Sequence, residues 1–290
     1  GDRPLLFGAY YSAPPEGYKE KHFYYLDEDG KYKPASVITG YTHAPEFIHF
    51  FPRMWDARKG EKEYKQWAAY RTKTEIMRDE KGEIVRDSQG RPMQGEVLDF
   101  GTKKVYDDGY EPRTIVEPTF LENLNYFFNY QLSYMYWRYF LWNFVGRQSD
   151  IQPTRTTITD GNWLSGIKWI DEKYLGPQEN LPREVAGNKG RNTYYFLPFL
   201  LGLVGLLYQL NRDPRNFSIV MWLFIMTGIA LVFYFNTSPG EPRERDYVYA
   251  GSFYAFSIWI GFGVLALREL FARLTGRDTA ATVAATAVCM

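Results

Sequence analysis

Residues 217–267 read FSIVMWLFIMTGIALVFYFNTSPGEPRERDYVYAGSFYAFSIWIGFGVLAL. Glu241, Arg243, Glu244, Arg245 and Asp246 fall within six residues, between two strongly apolar flanks. The reading of those flanks decides the fold. No Asp, Glu, Lys or Arg occurs from Asn216 to Gly240 or from Tyr247 to Leu267, and a third such run covers Asn192 to Asn211. A bilayer core of about 30 Å needs about 20 mostly apolar residues in a helix, and each run reaches that length. None shows the polar face of a helix on a water-soluble core. Spans are therefore expected at about 194–210, 217–235 and 252–270, with a fourth apolar run at 279–290 that stops with the sequence.

The averages of the chain hide this pattern. Charged residues are 23% and the net charge is zero, values typical of a water-soluble protein, because the first two-thirds is polar. A neutral chain gives no argument for nucleic acid as a partner. Aromatic residues reach 18%, and Tyr and Trp are favoured where an apolar body ends in a wet interface. The one cysteine, Cys289, excludes a disulfide framework. The chain starts at Gly1 with neither an initiator Met nor a basic-then-apolar signal, and it ends inside an apolar run, so it is expected to be an internal piece of a longer protein.

Residues 1–118 read as a mixed α/β, hairpin-containing extramembrane domain. Asp-Glu-Asp-Gly, Asp-Glu-Lys-Gly, Asp-Ser-Gln-Gly and Asp-Asp-Gly supply turns between short aromatic or β-branched runs, and EKEYKQWAAYRT reads as a short helix. At Thr119 the pattern changes. Thr119 and Glu122 fit a capping box, Gly146 supplies a stop, and the 119–146 segment between them is an aromatic helix of about 40 Å at ~1.5 Å per residue. Glu122, Asn125, Asn129 and Ser133 form one polar stripe, and Gln131 with Arg138 a second. Such a helix is expected to lie along the membrane surface, the alternative being a span packed inside a bundle. Residues 147–193 are a polar connection carrying Trp163, Trp169 and Tyr174, expected to be ordered against the membrane face. Residues 194–290 hold the spans. Basic residues at the span ends divide into Arg212, Arg215, Arg268, Arg273 and Arg277 on one side and Lys189, Arg191, Arg243 and Arg245 on the other, a small excess that places the charged loop outside.

The charged loop has two readings. A loop between spans must be polar, and Arg and Glu at membrane ends are ordinarily solvated or snorkelling. Yet Arg243 and Arg245 also present two guanidinium forks from one tight segment, and such forks suit phosphate oxygens. SPGEPRERDYVYAGSFYAFSIWIGFGV, with GDRPLLFGAYYSAP, YFLWNFVGRQSDIQ, GNWLSGI, LGPQ and NKGRNTYYFLPFLLGLVGL, resembles a bacterial multi-pass membrane family long carried as a domain of unknown function. That family is grouped with lipid-phosphosugar-dependent glycosyltransferases of GT-C architecture, protein O-mannosyltransferase-like, and is related to the animal transmembrane protein 260. The resemblance implies an α-helical multi-pass membrane protein, GT-C-like, that moves a sugar from a polyprenyl-phosphate carrier to a protein hydroxyl or glycan on the non-cytoplasmic face. It also implies a bacterial inner-membrane location with a periplasmic polar domain. The catalytic carboxylate of such enzymes lies in the first extracytoplasmic loop, which is expected upstream of Gly1. Arg243 and Arg245 then become candidates for the carrier phosphate, with Glu241, Glu244 and Asp246 holding them in place.

Secondary candidates are Arg147, Gln148 and Asp150 in GRQSD, a phosphate- or sugar-facing edge or a helix cap. Asn162 and Trp163 in DGNWLSG could stack on and hydrogen-bond a sugar, or form an ordered turn. Lys189 and Arg191 in NKGR could meet a headgroup or anchor a span. His22, His43 and His49 lack metal spacing, so no metal site is expected, and no tightly bound cofactor. The expected partners are the lipid carrier and the acceptor. The reading from a different class is a non-enzymatic multi-pass envelope scaffold or transporter component.

Overall fold

The computed structural model describes residues 10–11, 15–43, 45, 48–49, 60–79, 82–106, 112–150, 161–239, 246–276 and 278–289. The chain forms two units, Gly1–Asn129 and Tyr130–Met290.

Among the described residues of the first unit, two sets of four strands are each followed by a helix: β1 (Tyr10–Tyr11), β2 (Gly17–Leu26), β3 (Tyr32–Thr42), β4 (Ile48–His49), α1 (Gly60–Ala68), β5 (Arg71–Ile76), β6 (Gln94–Asp99), β7 (Thr102–Tyr106), β8 (Arg113–Glu117) and α2 (Phe120–Tyr126). The strands pair antiparallel in twos, as β1–β4, β2–β3, β5–β6 and β7–β8, and no larger sheet forms among the described residues. Local turn chemistry sets the hairpins. Asp87 Oδ1 accepts from the backbone N–H of Gln89 at 2.8 Å and of Arg91 at 2.9 Å, and Gly90 turns the chain at a φ of +79° that a side chain would resist. Between β2 and β3, Gly30 donates to Asp27 O at 2.8 Å and Lys33 pairs with the Asp27 carboxylate.

Much of the packing described in this unit involves the helices, with Phe100 and Glu117 also buried. Tyr64 and Ala68 of α1 are buried, and the Tyr64 ring meets Tyr126 of α2 edge-to-face at 5.3 Å. The capping box forms: Glu122 N donates to Thr119 Oγ1 at 3.3 Å while Glu122 Oε2 accepts from Thr119 N at 2.8 Å. The same buried carboxylate accepts from Gly101 N at 3.0 Å, tying the β6–β7 turn to the helix start. Asn125 Nδ2 donates to Ala68 O at 2.8 Å, so a residue of the first polar stripe closes the C-terminal end of α1.

The helix begun by α2 widens into a π-helical stretch, Phe127–Trp137, and narrows again into α3 (Arg138–Phe144). The second unit then continues through β9 (Gly146–Arg147), α4 (Lys168–Leu175), α5 (Arg183–Ala186), β10 (Asn192–Thr193), α6 (Leu197–Arg212), α7 (Pro214–Met226), α8 (Ile229–Phe235), a 3-10 turn at Asp246–Tyr249, α9 (Ala250–Thr275) and α10 (Asp278–Cys289). Phe140 and Phe144 of α3 form the core with Phe256 and Trp259 of α9, and Phe199, Phe217 and Phe224 pack around them. Where α6 ends, Asp213 caps α7 by accepting from Asn216 N at 3.2 Å, with Pro214 opening the new helix.

The expected α-helical multi-pass, GT-C-like fold is overturned. Among the described residues only two helices are long and apolar enough to cross a membrane, Pro214–Phe235 and Tyr247–Thr275. The expected span at 194–210 is α6, which Asp213-Pro214 terminates at 16 residues, about 24 Å of helix. The apolar run at 279–290 falls in α10 (Asp278–Cys289). Much of the remaining chain is paired strands, so the architecture is mixed α/β with two membrane-length helices.

Those two helices do not look like core helices. Only 11% of the apolar window of Pro214–Phe235 is buried, and 28% of that of Tyr247–Thr275. Ile219 and Trp222 stand 63% and 62% exposed. So much outward apolar surface suits lipid and not water. The whole chain is accordingly expected to stay with the membrane fraction through an alkaline carbonate wash and to need detergent for release. Release by carbonate alone would show that neither helix crosses.

Candidate functional site

Two places in the second unit gather the residues that carry chemistry. The first surrounds the charged loop. Glu241, Arg243, Glu244 and Arg245 lie outside the described residues, and Asp246 opens the 3-10 turn. What the structure gives is the two ends of the loop. On the N-terminal side, Gln131 Nε2 donates to Asn236 Oδ1 at 2.9 Å and to Thr237 O at 3.1 Å, and Tyr130 OH donates to Ser238 O at 3.3 Å. On the C-terminal side, buried Tyr249 meets Tyr136 edge-to-face at 5.3 Å, and Tyr136 OH shares a 2.6 Å hydrogen bond with Ser252 Oγ. The π-helical stretch therefore clamps the chain just before and just after residues 240–245. Gln131, which the sequence marks only as part of a polar stripe, does much of this.

The second place lies around β9. Gly146 and Arg147 pair with Thr193 and Asn192 of β10, and Arg147 also bridges to Trp163. Gly146 has φ +135°, and a side chain there would meet Leu164 O at 2.4 Å and Asn192 O at 2.6 Å, so three chain segments converge on it only because it is glycine. Gln148 Oε1 accepts from Asn162 N at 3.2 Å and Nδ2 at 3.1 Å, and Tyr174 OH donates to Asn162 Oδ1 at 3.2 Å. The Trp163 and Tyr174 rings stack at 5.0 Å. Tyr174 is 48% exposed, and partial burial raises its phenol above the ordinary value, against the lowering effect of the Arg138 charge.

The structure thus brings together Arg147, Gln148, Asn162 and Trp163, and sets Arg191 next to the Asn192 that pairs with Arg147. Arg191 Nη2 donates to Gln178 Oε1 at 3.1 Å. Asp150 packs against Gly190, where an added Cβ would lie 2.8 Å from it, and this contact is structural. Lys189 is exposed and makes no recorded contact with the cluster. Three residues that sequence reasoning did not select complete the neighbourhood. Arg138, 3% exposed, donates from Nη1 to Gly161 O at 3.0 Å. Tyr139 and Trp142 lie beside it, their rings edge-to-face at 4.9 Å. The Tyr139 hydroxyl, Trp142 Nε1, Arg147 Nε and Arg191 Nη1 are buried without a hydrogen-bond partner. Each such group costs about 1–3 kcal/mol, and a native fold keeps few of them without a reason.

Residues 1–128 match a family described as "Family of unknown function (DUF8416)". The match ends before both places described above, and it neither supports nor opposes sugar transfer. No curated protein matches the chain, and no solved structure does.

Proposed function

We propose that this chain is part of a bacterial membrane glycosyltransferase that takes a mannose-like sugar from a polyprenyl-phosphate carrier and passes it to a protein hydroxyl or glycan on the non-cytoplasmic face. In this reading the inner membrane holds Pro214–Phe235 and Tyr247–Thr275, with residues 1–118 in the periplasm. The observation that carries it is that Tyr130 and Gln131 hold Asn236 and Ser238, and Tyr136 holds Tyr249, on either side of residues 240–245. A loop that served only as a solvated turn would gain nothing from being fixed at both ends. A loop that grips a leaving phosphate at the membrane edge needs fixed arginines, because preorganised charge acts on the transition state without reorganisation. In the transfer, the bond from sugar C1 to the carrier phosphate oxygen breaks and a bond from C1 to the acceptor oxygen forms. The acceptor proton passes to a carboxylate base, and the phosphate leaves on the lipid with the bonding electrons, its charge met by Arg243 and Arg245.

Arg→Lys keeps the charge at these positions and loses the bidentate fork. A charge-assisted contact is worth about 1.5–3 kcal/mol, so Arg243→Lys and Arg245→Lys are each expected to slow transfer from a polyprenyl-phosphate sugar by roughly ten- to a hundred-fold at unchanged thermal stability. Wild-type rates in both variants would remove the phosphate grip, since exposed charges substitute freely at about 0–1 kcal/mol. The reading as a non-enzymatic envelope scaffold draws on a different observation. The β2–β3 hairpin exposes Tyr18, Tyr24, Leu26, Tyr32 and Tyr41 by 56% or more, a surface suited to a protein partner. Absence of any transfer by the full-length protein would leave that reading standing.

A further inference from the structure

Around Trp142 three buried donors lack partners: the Tyr139 hydroxyl, the Trp142 indole N–H and the Arg147 Nε–H. They are neighbours. The Tyr139 and Trp142 rings touch edge-to-face at 4.9 Å, and the Arg147 guanidinium lies 5.1 Å from the Trp142 ring centre. A second guanidinium, Arg138, lies 4.4 Å from the Tyr139 ring and 5.1 Å from that of Trp142. Arg138 has its own acceptors in Tyr134 O and Gly161 O. Arg147 has no carboxylate partner among the described residues, and its side chain's recorded contact is the face of Trp142. Stacking on the indole explains where the Arg147 ion sits and does nothing for its N–H.

We propose that Tyr139, Trp142 and Arg147 form a binding site for a phosphate group. The cluster presents three O–H and N–H groups without partners beside the positive charge of Arg147, a combination that suits an anion. The three groups sit on three different side chains. A tetrahedral phosphate offers enough oxygens to meet all three, whereas a carboxylate offers two in one plane. The site uses none of residues 240–246, and it stands without the glycosyltransferase reading. Where that reading holds, the site would take a phosphate of the donor or of a neighbouring lipid. Free phosphate and a lipid phosphate share the chemistry that recognises them, so the experiment must separate the two.

The test uses the whole chain purified in dodecyl maltoside, which carries no phosphate. Thermal stability and binding heat are followed with inorganic phosphate in one arm and with dodecyl phosphate doped into the micelles in the other, against chloride at equal ionic strength. Phosphate is expected to bind and to raise the unfolding midpoint in at least one arm, and the stronger arm names the source. Tyr139→Phe, Trp142→Phe and Arg147→Lys are each expected to weaken binding about ten-fold or more. Without phosphate, Tyr139→Phe and Trp142→Phe should be as stable as the wild type or more so, since each removes an uncompensated buried donor. Wild-type protein that responds to phosphate no more than to chloride overturns the site, and so do variants that bind as the wild type does. Intact phosphate binding beside absent sugar transfer by the full-length protein would remove the proposed function and leave this site. Intact transfer with no binding here would do the reverse.

Discussion

Gly205→Ala is expected to force α6 away from α9 and to lower the stability of the second unit by about 3 kcal/mol, although alanine is the better helix former. The two helices touch through backbone. A Cβ on Gly205 would lie 1.7 Å from Trp259 O and 2.5 Å from Gly263 N, and one on Gly263 would lie 2.2 Å from Leu201 O. The neighbours are main chain and cannot turn aside, so the helices must part by more than an ångström. Parting them also strains the buried bond from Trp259 Nε1 to Gln209 Oε1, 2.8 Å long, which ties the same two helices. In lipid such close approach takes the place of hydrophobic burial as the source of helix association. The control lies on α9. Gly261 has nothing within 4 Å of its added Cβ, so Gly261→Ala should be neutral or gain up to about 1 kcal/mol. Unfolding midpoints in detergent decide the matter, and equal behaviour of the two variants would show that α6 and α9 do not meet as described.

The same contrast explains what the sequence makes legible. Features set by a few adjacent residues can be read directly: the Asp-x-x-Gly turns, the Thr119–Glu122 box, and the start of α7 at Asp213-Pro214. Absence of charge is a weaker guide, because it reports composition and not length. It marks the two helices of membrane length, Pro214–Phe235 and Tyr247–Thr275, and it also marks α6, which at 16 residues is too short to be a span. The π-helical winding of Phe127–Trp137 has no local signal in the sequence. In the site, Arg147, Gln148, Asn162, Trp163 and Arg191 stand out in three separate motifs as polar or aromatic residues among turns. Their meeting depends on the pairing of Arg147 with Asn192, 45 residues away, which no spacing rule anticipates. Tyr139 and Trp142 are hidden for the opposite reason. They sit in a stretch so rich in aromatics that none stands out, and only the missing hydrogen-bond partners distinguish them.

Asp171 is a position where a single substitution should disable the neighbourhood of β9 without touching a candidate ligand group. Its carboxylate is 2% exposed and holds the turn ahead of α4: Oδ1 accepts from Ser165 N at 2.9 Å and Ser165 Oγ at 2.7 Å, and Oδ2 accepts from Gly166 N at 2.7 Å. Ser165 Oγ in turn accepts from Ile167 N at 3.0 Å, so one side chain orders the backbone from Ser165 to Ile167. That segment follows Asn162 and Trp163 directly and fixes where both point. Asp171→Ala leaves three donors without their acceptor in a buried place, at about 1–3 kcal/mol each before relaxation, so a net loss of about 3 kcal/mol is expected. Asp171→Asn keeps one acceptor oxygen and turns an amide N–H₂ toward a backbone N–H or the serine hydroxyl, and it should lose nearly as much. The asparagine variant is the sharper test, because it keeps the size of the side chain and removes only the second acceptor and the charge. If the turn positions the site, both variants should weaken phosphate binding at Arg147 and quench the Trp163–Tyr174 stack, seen as a change in near-ultraviolet circular dichroism. Asp171→Asn with wild-type stability and an unchanged aromatic signal would show that Ser165 and Gly166 hold their turn unaided and that the β9 cluster owes its order to the β9–β10 pairing alone.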